Sequence, residues 1–105
     1  MEIKILDGAI KTSQEQHDYI MNKVGSAASR LNDTSSEVVV RLSDTNGHRG
    51  GVDKLCTIHV TTPGMQSVRV EEHALEYYGA IDAASAALKR SLAKTLERQK
   101  TNGPR

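Results

Sequence analysis

Tryptophan and phenylalanine are absent from this chain, and its only aromatic residues are Tyr19, Tyr77 and Tyr78. A core here must rest on Val, Ile, Leu, Ala and Met. Cysteine is almost absent too. Cys56 alone excludes an internal disulfide and fits a reducing compartment. No secretory h-region opens the chain and no apolar run approaches the roughly 18 residues of a membrane span, so the reading is a soluble, cytoplasmic protein. Charge of one sign is lacking as well: 14 Lys and Arg against 13 Asp and Glu leave a net +1, so composition alone does not announce a nucleic-acid binder. Neither a GxGxxG fingerprint nor a Gly-Lys-Ser/Thr phosphate loop occurs. The 105 residues contain no repeat, linker or low-complexity segment and fit one domain, expected over residues 1–100, with a frayed tail over 101–105.

What is present is unevenly placed. From Ala83 onward six basic residues face one acid, Glu97, whereas Met1–Asp82 holds eight basic residues and twelve acids. Such asymmetry points to a locally basic surface and a polyanionic partner. The basic third coincides with the most periodic stretch, Ala74–Lys100. Leu75, Tyr78, Ile81, Ala84 or Ser85, Leu88, Leu92 and Leu96 recur there at helical spacing. Arg90, Lys94 and Arg98 follow one another at i, i+4 and i+8 on another side of that helix, flanked by Lys89 and Lys100.

Upstream, Met1–Leu6 alternates as a strand with Ile3 and Ile5 inward. Thr12 and Glu15 form a capping-box pattern that predicts a helix over about 13–31, with Ile20, Val24, Ala27 and Leu31 buried and Tyr19, Lys23 and Arg30 beside them. Gly25 is a weak point inside it. Strands are expected over 37–43, 55–61 and 66–70, joined by the loop DTNGHRGGVDK and by a Pro63-Gly64 turn. The order β-α-β-β-β-α predicts an α+β fold. It would be a four-stranded sheet, three strands of it a meander, with both helices on one face because each strand has one apolar side.

Chemistry is sparse. Asp53, Cys56 and His59 are spaced like metal ligands, but on a strand Cys56 and His59 point to opposite faces, so Cys56 reads as a core residue and no metal or other cofactor is expected. His17, His48, His59 and His73 are scattered and assemble no catalytic arrangement, so an enzyme is not expected. The glycine-rich loop reads either as a plain flexible hairpin or as a phosphate-contacting loop served by Arg49 and Lys54. The cations of the last helix read either as a solvated face or, joined by Lys23 and Arg30 from the first, as a patch for the backbone of folded RNA.

The element order, the Pro63-Gly64 turn, and Tyr78-x-Ala80-Ile81-Asp82 leading into Leu88-x-Arg90-x-Leu92-x-Lys94 resemble the ribosome hibernation-promoting factor family. That family includes ribosome-associated inhibitor A and is also called the ribosome subunit interface proteins. The loop Asp44-x-Asn46-Gly47-x-Arg49-Gly50-Gly51-x-Asp53-Lys54-x-Cys56 looks like a hairpin of one branch of it. The resemblance implies a fold similar to a double-stranded-RNA-binding domain and a non-catalytic protein. It implies binding of the small ribosomal subunit in the messenger–transfer RNA channel, blocking initiation in stress or slow growth. It matches Arg90 and Lys94 to basic positions of the family's last helix and Lys23 to one on the first. The chain is similar to the short form, which implies a monomer that works with a separate ribosome-dimerising factor. A protein-binding regulator of the sigma-factor-modulating kind, on the same fold, is the alternative.

Overall fold

The structure is a computed structural model that describes residues 1–7, 11–31, 35–45 and 52–101, the last three by backbone alone. Its elements are β1 (Glu2–Leu6), α1 (Gln14–Ala27), β2 (Glu37–Asp44), β3 (Lys54–Thr61), β4 (Val68–Ala74) and α2 (Tyr77–Thr101). The elements follow the expected order of an α+β fold, β-α-β-β-β-α, and the strands form one sheet in the order β1-β2-β3-β4. β1 runs parallel to β2, with Ile3 opposite Val38 and Ile5 opposite Val40. A parallel neighbour cannot be reached by a tight turn, and α1 supplies the crossover. β2, β3 and β4 are antiparallel, with Val40 paired to Ile58 and Ile58 to Val70.

Alternation puts Val38, Val40, Leu42, Cys56, Ile58, Val60, Val68 and Val70 on one face, all buried. Against them pack Ile20, Val24 and Ala27 of α1 and Ile81, Ala84, Leu88 and Leu92 of α2, forming a single aliphatic cluster. Both helices cover this face. The Pro63-Gly64 turn is as expected: Gly64 takes φ +78° and the Met65 amide donates to the Thr62 carbonyl at 3.1 Å, the arrangement that Pro and Gly favour at the two central positions of a type II turn.

Element boundaries depart from the sequence reading in three places. The cap of α1 is Ser13, one residue late: Gln16 N donates to Ser13 Oγ at 3.1 Å and Ser13 N to Gln16 Oε1 at 3.0 Å. Gln serves a capping box as Glu does, and the Thr12 amide is already engaged by Asp7 Oδ1 at 3.0 Å. The regular helix ends at Ala27, although Ala28 and Leu31 remain buried in the turn beyond it. β4 runs over Val68–Ala74 rather than 66–70, because its ladder with β3 continues to the Ala74–Lys54 pair. His73 is thus on a strand, and Leu75, expected on the apolar stripe, lies between elements and is 65% exposed. The turn residues Asn46-Gly47 and Gly50-Gly51, with His48 and Arg49, fall outside the described residues, as do 32–34 and 102–105.

Two outcomes test this packing. A Cβ built on Gly25 would meet nothing closer than Ile3 Cδ1 at 3.9 Å, so the glycine costs the helix without being required by space. Gly25→Ala should raise unfolding stability by about 0.5–1 kcal/mol in urea titrations. Burial pushes the Cys56 thiol up to about 12. The unfolded thiol loses its proton near ~8.5 while the folded one keeps it, so this group makes stability fall as pH rises from there toward 12, by up to ~1.4 kcal/mol per pH unit. Unfolding curves at pH 8 and pH 10 should show a steeper decline for the wild type than for Cys56→Ala.

Candidate nucleic-acid interface

Five of the eight basic residues singled out in the sequence stand exposed without an ion pair among the described residues: Arg30, in the turn beyond α1, and Lys89, Arg90, Lys94 and Arg98. Four of them are on α2, whose buried seam dictates where they point. At roughly 100° per residue, a helix that turns Ile81, Leu88 and Leu92 onto the sheet must send Arg90 to the far side. Lys94 and Arg98 then step round one flank, while Lys89 lies on the other. That second flank carries Asp82 and faces α1. The cations therefore spread from the interhelical side across the outward crown of α2. Leu92 is the last buried residue, so Lys94 and Arg98 sit on a stretch of helix that the core no longer holds.

α1 meets α2 through a polar and aromatic cluster. The Tyr19 hydroxyl donates to Asp82 Oδ1 at 2.5 Å, the Tyr19 and Tyr78 rings meet edge to face at 4.9 Å, and Lys23 Nζ lies 3.6 Å from the same Asp82 oxygen and 5.8 Å from the Tyr19 ring centre. The hydrogen bond to Asp82 holds the Tyr19 phenol above its ordinary value, since the neutral phenol is the donor. Lys23 thus lies beside α2, as a shared patch requires, but its charge is partly answered by Asp82. Sequence reasoning missed this partner because Asp82 is far along the chain and only the packing of the two helices brings it near.

Lys54 is more fully committed. Its Nζ lies 2.7 Å from Asp44 Oδ2 and 3.3 Å from Asp53 Oδ1, and 5.8 Å from the centre of the Tyr77 ring. The hydrogen bond to Asp44 comes first among the causes that raise its pKa. Thr45 N and Oγ1 both donate to the Asp53 carbonyl, at 2.9 and 3.1 Å. Lys54 therefore clasps the base of the β2–β3 hairpin to the start of α2, and an incoming phosphate would compete with two carboxylates for it. Alternation carries the signal, because Lys54 shares the inward face of β3 with Cys56 and Ile58. Arg49, its expected companion, lies outside the described residues.

Cys56 is fully buried and His59 exposed, on opposite faces as alternation requires. Among the described residues no group of three His, Cys, Asp or Glu side chains could hold a metal ion. No described helix is long and apolar enough to cross a membrane.

A one-sided, four-stranded α+β domain with a cation-bearing second helix is the class these features define. The comparisons name the family. Residues 3–100 match the family described as Sigma 54 modulation protein / S30EA ribosomal protein. The chain belongs to that family. No curated protein matches it. Among solved structures it is similar to the N-terminal domain of Protein Y from Thermus thermophilus, with 25% identity, a TM-score of 0.66, and coverage of 89% of this chain and 93% of that one. It also shares the fold of a ribosomal subunit interface protein from Coxiella burnetii, with 14% identity, a TM-score of 0.63, and coverage of 90% and 96%.

The Tyr19–Asp82 bond makes a direct prediction. Asp82→Asn should lower the Tyr19 titration toward that of an ordinary tyrosine, read as phenolate absorbance against pH. An unchanged curve would mean that the two helices do not meet through this pair in solution.

Proposed function

We propose that this chain is a ribosome-associated translation inhibitor. It binds the small ribosomal subunit in the messenger–transfer RNA channel and blocks initiation during stress or slow growth, by filling the channel and without catalysis. Family membership over residues 3–100 supports a ribosomal role. The observation that carries the RNA-directed mechanism is the row of cations on α2, Lys89, Arg90, Lys94 and Arg98, which have no carboxylate partner among the described residues. Folded RNA is recognised largely by shape and phosphate position, and rigid helical cations suit that task. Arg30 adds to the row from the turn beyond α1, and Lys23 joins it from α1 when a phosphate replaces Asp82 as its partner. The protein acts in the cytoplasm.

The family's description also names sigma 54 modulation, which supports a second reading, a protein-binding regulator on the same fold. Salt separates the two. Each phosphate neutralised adds roughly 0.7–0.9 to the slope of log affinity against log salt, whereas an apolar protein interface shows little such dependence.

Sedimentation with ribosomes on density gradients at low and moderate salt tests the proposal. Co-migration with the small subunit should fade as salt rises. Arg90→Glu combined with Lys94→Glu should weaken it at every salt and flatten the slope by roughly 1.4–1.8. Asp82→Asn should act in the opposite sense by releasing Lys23. Association that ignores both salt and the charge reversal would remove the RNA mechanism and favour the protein-binding reading.

A further inference from the structure

The face of the sheet turned away from both helices is not a uniformly polar surface. A concavity of about 310 Å³ opens there, with Leu6, Val39 and Leu55 in its lining and the row of Arg41 and Thr57 between Val39 and Leu55. Arg41 and Thr57 stand at its middle on the central strands, with Val39 and His59 side by side in the adjoining row. Registry explains the grouping. Val39, His59 and Arg69 form one cross-strand row, and Arg41, Thr57 and Glu71 form the next, with Leu6 on the other side of Arg41.

The charges of this face are mostly answered, with one exception. Lys4 Nζ pairs with Glu37 at 3.1 Å, and Arg69 Nη2 with Glu71 at 3.6 Å. Arg41 is exposed and has no ion pair among the described residues. Its cross-strand neighbours, Leu6 and Thr57, are not acids. Glu71, the acid of its row, is two strands away, roughly 9–10 Å at 4.7–4.9 Å per strand, and is already engaged by Arg69. The groove thus offers the Val39 side chain beside the His59 imidazole, one guanidinium without an ion pair among the described residues, and the hydroxyls of Ser43 and Thr57.

We propose that this open face is a second RNA contact, which takes one nucleotide of a single-stranded segment. Its phosphate sits on Arg41, its base on the adjoining Val39–His59 pair, and its ribose hydroxyl near Thr57. The volume lies at the low end of small-ligand sites, roughly 300–1,000 Å³, and suits one inserted nucleotide rather than a duplex, whose convex backbone cannot enter a groove. An acidic peptide fits less well. Extended peptides gain most of their affinity by pairing with a sheet edge, and β2 and β3 are interior strands. The inference rests on the reading of RNA as partner and adds a contact on the side opposite to the α2 cations, so the domain would be gripped from both faces.

The test is done off the ribosome, so that the two proposals can fail separately. Backbone amide shifts of the chain are followed by NMR as a short oligouridine is added, with the matching oligodeoxyuridine and a hexaglutamate peptide as comparisons. The expected result is perturbation at Val39, Arg41, Thr57 and His59, weaker with the deoxy strand and absent with the peptide. Arg41→Ala should reduce oligouridine affinity about tenfold, the loss expected of one charge-assisted contact, while the Arg90→Glu, Lys94→Glu variant keeps the sheet-face shifts. Shifts confined to α1 and α2, an unchanged affinity in Arg41→Ala, or equal perturbation by hexaglutamate would each overturn the inference. Sheet-face binding of oligouridine with no ribosome association by the wild type would sink the proposed function and leave this contact standing.

Discussion

The fold depends on one contact, the seam of Ile81, Leu88 and Leu92 laid across the valine–isoleucine face of β2, β3 and β4. Without Phe or Trp, no single side chain can bridge a gap between layers, so the layers must come close. Ala80, Ala84 and Ala87 allow this on the helix side, and all three are buried. Gly79 shows how little room is left, since a Cβ there would approach Ala74 Cβ to 3.2 Å. Once α2 is fixed in rotation by its seam, the direction of every other residue on it follows from the helical repeat.

Two surfaces result from that single choice of face. On the covered side, the outward crown of α2 is exposed along its length, and the basic third of the sequence occupies it. On the other side, the sheet remains open to solvent. The acids that bring the total charge near neutrality are not spread evenly between these surfaces. Asp44 and Asp53 are engaged by Lys54 under the hairpin, Glu37 and Glu71 pair with strand cations, and Asp82 faces Lys23 between the helices. Lys89, Arg90, Lys94 and Arg98, on the outer surface of α2, have no ion pair among the described residues.

The order of elements along the chain, both helices and nearly all of the core were legible in the sequence because each depends on a short-range period. Ile3 and Ile5, Val38 to Leu42 and Cys56 to Val60 alternate without interruption, and the turn at Pro63-Gly64 follows from the backbone preferences of two residues. The errors fall where pairing partners far along the chain decide. β4 extends to Ala74 because Lys54 is opposite, and no local pattern in Glu71-Glu72-His73 announces it. The cations were identifiable, but their state was not. Nothing near Lys23 in the chain points to Asp82, and only the hairpin brings Asp44 against Lys54. Likewise Arg41 gave no signal, since its lack of an acid partner is a property of rows across three strands.

Net charge is therefore a poor guide to what this protein can bind. Affinity for a polyanion follows the number of phosphates that displace counterions, and that number is set by cations free to meet them, not by the sum over the chain. A strongly basic protein would meet RNA everywhere and depend steeply on salt. In this chain Lys4, Lys23, Lys54 and Arg69 are already partnered by carboxylates within the fold, which leaves the α2 cations and Arg41 the readier ones to meet a phosphate. Such a surface supports binding that depends on shape, because few contacts are strong enough to hold the protein on RNA that does not fit the rest of it. It also keeps the interaction reversible, because few strong contacts must break for the protein to leave.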